Sequence, residues 1–126
     1  MGKEYLIDTN VVIDYLDNKL PDTAAVLIDG IEAKISVITR MELLAWPGAS
    51  KEQSLILNEF VDAAEVFNLE EPVILKAIQI RTATKTKLPD AIIAATAQVH
   101  KLILITRNTK DFEKIKELEI MDSYNF

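Results

Sequence analysis

The chain predicts a three-layer α/β/α fold with a mainly parallel central sheet. Short apolar runs alternate with helical patterns along the whole length. The runs Tyr5-Leu6-Ile7, Ile35-Ser36-Val37-Ile38 and Leu102-Ile103-Leu104-Ile105 are apolar at nearly every residue, as strands covered on both faces are. With 126 residues, 49% of them apolar, the chain can fill one core and is too short for two ordinary ones. A single domain over residues 1–126 is expected, undivided by linkers, repeats or low-complexity segments.

The opening strand is expected over residues 4–8. A helix over residues 10–16 follows, with Val11, Val12, Tyr15 and Leu16 on its apolar side. Pro21-Asp22-Thr23 starts a second helix, capped by Asp22 or Thr23 and reaching about residue 31. A strand over 34–38 leads into a helix over 39–46, which Pro47-Gly48 stops. Residues 51–64 are amphipathic, with Leu55, Ile56, Phe60 and Val61 expected on the buried stripe. Residues 66–69 are a short strand, and Pro72 suits the first turn of a helix ending near residue 84. The helix over 90–99 carries Ala91, Ile92, Ala94, Ala95, Ala97 and Val99, small and apolar on most sides, so close approach to the sheet is expected. A strand over 102–106, a helix over 109–118 and a short edge strand at Ile120-Met121 complete the series.

Zero cysteines exclude disulfides, thiolate catalysis and cysteine-bound zinc. His100 is the single histidine, which leaves no basis for a His-rich metal site or a serine–histidine hydrolase. No apolar run is long enough to span a membrane, and Met1-Gly2-Lys3-Glu4 does not open a signal peptide, so a cytoplasmic protein is expected. Chemistry is left to carboxylates, hydroxyls, amides and a metal. The net charge of −6 weighs against a nucleic-acid partner, but its distribution qualifies that. Residues 73–89 hold Lys76, Arg81, Lys85 and Lys87 with no acid among them, and Arg40, Arg107 and Lys110 stand near the acidic motifs. Lys85 and Lys87 suit a phosphate backbone and, equally, the negative end of a helix.

Asp8, Glu42, Asp90 and Asp111 each stand where an apolar run has just ended or a helix is about to begin. In a parallel sheet these positions share the carboxyl edge, where ligand sites gather. Taken singly, Asp8, Asp90 and Asp111 suit helix N-termini, and Glu42 suits a solvated helix face. Gathered at one edge they repel one another unless a hard divalent cation neutralises them, which points to Mg2+- or Mn2+-dependent phosphate chemistry. Asp14, Asp17, Asp22, Asp29 and Asp62 fall elsewhere and read as surface charges. Thr9, Asn10, Thr106 and Asn108 add short polar groups that can cap a helix, hold a water or orient a carboxylate. Strand and capping roles account for Ser36 and Thr39. His100 belongs to the opposite end of the sheet. A strand-terminal Asp also opens haloacid-dehalogenase-like phosphatases, but the second acid they need two residues on is Asn10 here.

Asp8-Thr9-Asn10, Thr39-Arg40-Met41-Glu42-Leu43, Leu88-Pro89-Asp90-Ala91-Ile92-Ile93-Ala94-Ala95-Thr96-Ala97 and Thr106-Arg107-Asn108-Thr109-Lys110-Asp111-Phe112, in that order, resemble the PIN-domain family. More narrowly they resemble the VapC-type toxins of prokaryotic toxin–antitoxin pairs, over essentially the whole chain. The resemblance implies a metal-dependent ribonuclease, with Asp8, Glu42, Asp90 and Asp111 as its acids and Thr106 as helper hydroxyl. Asn108 stands where the family has Asp or Asn. A homodimer and a small antitoxin that masks the site are implied as well. An acidic pocket favours an inhibitor that brings an Arg or Lys against Asp8, Glu42 and Asp90, with residues 11–16 and 55–60 as apolar surface for the rest of it. Arg40, Lys85, Lys87 and Arg107 are the expected RNA phosphate contacts. The alternative is a silent PIN-like interaction module, against which four intact acids speak.

Overall fold

A computed structural model describes residues 2–126 and shows strands and helices in alternation. Strand β1 (Tyr5–Ile7) leads to helices α1 (Thr9–Leu16) and α2 (Asp22–Asp29). Strand β2 (Lys34–Ser36) leads to α3 (Val37–Leu44) and α4 (Lys51–Ala63), and β3 (Glu65–Phe67) to α5 (Glu71–Ala83) and α6 (Leu88–Val99). Strand β4 (Ile103–Thr106), a 3-10 turn (Thr109–Asp111) and β5 (Ile120–Asp122) end the series. β1 pairs with β4 and β4 with β5, β2 pairs with β3, and every pairing is parallel.

Side chains alternate between the faces of a strand, and the register turns that alternation into layers. Leu6 and Leu104, paired across β1 and β4, enter a core with Val73, Ala77, Ala91 and Ala95 of α5 and α6. Their neighbours Ile7 and Ile105, also paired, enter a second core with Val11, Val12, Leu43 and Val61 of α1, α3 and α4. One core on each face of the β1-β4-β5 sheet makes the fold three-layered, and β2 and β3 form a separate two-stranded sheet. Residues 91–97 of α6 are all buried, and Thr96 satisfies its hydroxyl there by donating to the Ile92 carbonyl at 2.7 Å. Among the described residues no helix is long and apolar enough to cross a membrane.

Several elements differ from expectation. β2 ends at Ser36 because its hydroxyl caps α3, accepting from the Thr39 N–H at 3.2 Å, so Val37 and Ile38 are helical. Asp22 lies inside the first turn of α2, and Pro21 occupies the cap. The buried stripe of α4 is Leu57 and Val61, while Leu55 and Ile56 are exposed. The helix expected over 109–118 is only one 3-10 turn. Phe112 and Ile115 are buried in the core and Leu118 packs against it. Glu117 then takes a left-handed φ of 65°.

Phe112 is 1% exposed and anchors the segment that carries Asp111. Phe112→Ala should therefore cost about 3–5 kcal/mol in urea denaturation. A loss under about 1 kcal/mol would mean that the segment is not held by this side chain.

Candidate active site

Parallel register brings the carboxyl ends of β1 and β4 to one edge. The Asp8 N–H bonds to the Ile105 carbonyl at 2.9 Å, one step beyond β1, which sets Asp8 level with Thr106. Asp8 Oδ1 caps α1 by accepting from the Thr9 N–H at 2.8 Å, and Oδ2 accepts from the Thr106 hydroxyl at 2.8 Å. Only 5% exposed, Asp8 is a buried carboxylate held by two donors, with lone pairs to spare on both oxygens. Burial pushes its carboxyl above the usual range, the bonds from Thr106 and Thr9 pull it back, and the charges of Glu42 and Asp111 add to the rise.

Glu42 is exposed on α3, and its Oε1 lies 2.6 Å from the Thr9 hydroxyl, itself 3.0 Å from the Thr39 hydroxyl. Thr9 has one hydrogen to give, and the carboxylate is the stronger acceptor. Thr39, fully buried, donates to Thr9 in turn, so a hydroxyl relay runs from the core to the cleft. The strand-and-cap reading of Thr39 is therefore incomplete. Asp90 sits half-buried in the first turn of α6. Burial foremost, then the charges of Asp8, Asp111 and Glu42, push its carboxyl up to about 6, and Lys87 offsets part of this.

Asp8, Thr9, Asn10, Glu42, Asp90 and Asn108 line one cleft of about 470 Å³. Met41, Ala45, Trp46 and Pro47 form its apolar wall, which the sequence reading missed. The available signal was spacing: Ala45 and Trp46 follow Glu42 by three and four residues, the offsets that share a helix face. Thr106 is buried beneath Asp8. Asp111 is exposed on the 3-10 turn and does not line the cleft; it acts there through its charge on Asp8 and Asp90.

Among the described residues, no three acids converge in a ready-made cation cage. Mg2+ does not require one, since it keeps several waters and is commonly held by one or two carboxylates together with substrate phosphate. The donors around this cleft are carboxylate, amide and hydroxyl oxygens, the set that suits a hard divalent ion.

Arg40, Lys85 and Lys87 are exposed and form no ion pair among the described residues. Lys85 follows Thr84, the C-cap of α5 and its negative end, while Lys87 is the N-cap residue of α6, a positive end. Arg107 differs from the expectation of a free phosphate contact: its Nη1 lies 3.0 Å from Asp14 Oδ2. Asp14, expected as a surface charge, is 4% exposed. The signal was its place three residues after the buried Val11, on the apolar side of α1. His100 lies beyond the C-terminus of α6, away from the cleft, with its ring 4.4 Å from that of Phe67.

The family model described as PIN domain matches residues 5–118. The chain belongs to the PIN-domain family. The phosphatase alternative falls with that assignment. This PIN domain is 33% identical over 124 residues to a protein of Methanocaldococcus jannaschii named Ribonuclease VapC1, covering 93% of this chain and 86% of that one. Among solved structures it is similar to a toxin–antitoxin complex from Klebsiella pneumoniae, with 35% identity, a TM-score of 0.77, and 98% and 100% of the two chains covered. It is also similar to a DNA-bound VapBC from Salmonella typhimurium, with 25% identity, a TM-score of 0.81, and 96% and 98% covered.

Proposed function

We propose that this PIN domain is a Mg2+- or Mn2+-dependent endoribonuclease, the toxin of a toxin–antitoxin pair, acting in the cytoplasm as a homodimer. The observation that carries the reading is the placement of Asp8, Glu42 and Asp90 in one cleft, close enough to one another and to Asp111 for their charges to raise the Asp90 carboxyl. Acids so placed favour a cation. The relative named Ribonuclease VapC1 and the toxin–antitoxin complexes support RNA as substrate and an antitoxin as partner.

Asp8 and Asp90 would hold the ion directly, with Glu42 and Asp111 reaching it directly or through water. When bound, the ion supplies the positive charge that admits an anionic phosphate and acidifies a water for attack. The protein's own part is orientation. Thr106 and the Thr9 N–H fix both oxygens of Asp8, and the Thr39–Thr9 relay fixes one oxygen of Glu42. Asn10 and Asn108 offer amide oxygens from the two strand ends. Arg40, Lys85 and Lys87, exposed and in no ion pair among the described residues, would contact the RNA phosphates, and Trp46 of the cleft wall would give a base an aromatic surface to lie on.

The antitoxin would set an Arg or Lys between Asp8, Glu42 and Asp90. Of the two apolar surfaces expected to hold the rest of it, residues 11–16 are unsuited at Val11 and Val12, which are core. Met41, Leu44, Leu55 and Ile56 are exposed on α3 and α4 and remain available. Leu75, Ile78 and Leu88 are exposed on α5 and α6, where a second copy can cover them. Expression of the chain alone should arrest growth, and co-expression of the adjacent reading frame should restore it. Equal toxicity of the Asp8→Asn chain would refute the reading.

A further inference from the structure

Asp14 takes no part in the chemistry above, yet its side chain is charged and only 5% exposed. A buried carboxylate needs partners, and this one has two side chains on it. Both of its oxygens accept from Arg107 Nη1, at 3.1 and 3.0 Å, and Oδ2 also accepts from the Tyr124 hydroxyl at 3.0 Å. All three residues come from segments that frame the cleft. Asp14 is on α1, which Asp8 caps and which carries Thr9 and Asn10. Arg107 separates Thr106, the donor to Asp8, from Asn108, which lines the cleft. Tyr124 follows β5, whose Asp122 pairs with Thr106, and the Ser123 N–H bonds to the Thr106 carbonyl at 3.0 Å.

Residues 107 and 108 belong to no strand or helix. Their local brace is the Asn108 N–H, which donates to the Thr106 hydroxyl oxygen at 3.0 Å. That oxygen gives its hydrogen to Asp8, so the orientation of Thr106 and the place of Asn108 are set together. The side chain between them is the one that Asp14 grips.

We infer that Asp14, Arg107 and Tyr124 are positioning residues, a clamp that locks residues 106–108 against α1 and so holds Thr106 on Asp8 and Asn108 in the cleft. The inference rests on the reading of the cleft as a ribonuclease site. It makes Arg107 an internal strut instead of an RNA contact.

Steady-state RNA cleavage at saturating Mg2+ tests the clamp in Asp14→Asn, Arg107→Gln, Arg107→Lys and Tyr124→Phe. Positioning predicts that kcat falls about ten- to hundredfold in Asp14→Asn and Arg107→Gln with KM nearly unchanged. Arg107→Lys, which keeps the ion pair, should recover part of the rate, and Tyr124→Phe should lose less than Asp14→Asn. The double variant Asp14→Asn/Thr106→Val should be little worse than the poorer single one. If Arg107 instead holds RNA, Arg107→Gln raises KM at constant kcat and Asp14→Asn, by freeing the guanidinium, lowers KM; either result overturns the clamp, as does a double variant whose losses multiply. Amide exchange provides a readout without catalysis. In Asp14→Asn, or in Arg107→Gln where the former does not fold, exchange at Asn108 should quicken at least about tenfold while β1 amides hold. Unchanged exchange at Asn108 overturns the clamp whether or not RNA is cut. A wild-type chain that cuts no RNA, yet shows the exchange effect, refutes the ribonuclease reading and leaves the clamp standing.

Discussion

Asp8→Asn and Asp90→Asn should each reduce RNA cleavage by about a thousandfold or more, while the protein stays folded. Asp8 stands at the junction of β1 and α1 with both oxygens already oriented, by Thr9 and Thr106. Asparagine keeps the size of the side chain and is itself a good helix cap, so the backbone there has no reason to move. What is lost is a charge that burial and neighbouring acids disfavour in the free protein. Thermal stability in chelator should therefore hold or rise as activity disappears. Opposite signs of change in stability and activity are what a functional carboxylate predicts and a structural one does not. Cleavage at the wild-type rate by either purified variant would remove these residues from the site.

At sub-saturating Mg2+, activity should also fall as pH drops below about 6, because protons then compete with the cation for the carboxylates. Asp90 contributes to that fall: its carboxyl is raised from 3.8 to about 6, by burial first and by Asp8, Asp111 and Glu42 next, and Asp8 is raised as well. The same shift acts on stability with a definite sign. An acid that holds its proton more tightly folded than unfolded makes the folded state less stable as pH rises between the two values. In chelator, the Asp90 contribution is thus fully present below about pH 4 and lost by about pH 6. Asp90 is half-exposed, so after discounting for solvent the loss is about 1 kcal/mol. Asp90→Asn should flatten this part of the pH profile and gain that amount at neutral pH. Identical profiles for wild type and variant, from denaturation at each pH, would show that Asp90 carries no such burden.

The chain announces its layers openly. Leu6 with Leu104 and Ile7 with Ile105 are apolar on successive residues, and only a sheet covered on both faces buries such pairs. Asp8 and Asp90 were legible because strand ends and helix starts are local features, and parallel pairing carries them to one edge. What local pattern did not show was the partner of each polar group. Asp14 read as a surface charge, since nothing in residues 11–17 reveals an arginine more than ninety residues away that neutralises it. Thr39 read as a cap because its hydroxyl acts through Thr9, a contact between separate helices. The segment over 109–118 was expected as a helix, and only Thr109–Asp111 forms one 3-10 turn. Phe112, Ile115 and Leu118 still pack on the core without a helix.

The proposed ribonuclease cuts RNA at the cleft between Asp8 and Asp90 only with a divalent ion in place. Cleavage of a defined single-stranded RNA by the purified chain, followed as Mg2+ is removed by chelator and then restored, tests it directly. No cleavage is expected in chelator, with a saturable return on adding Mg2+ that is absent in Asp8→Asn. Full cleavage by the wild-type chain in excess chelator would contradict it.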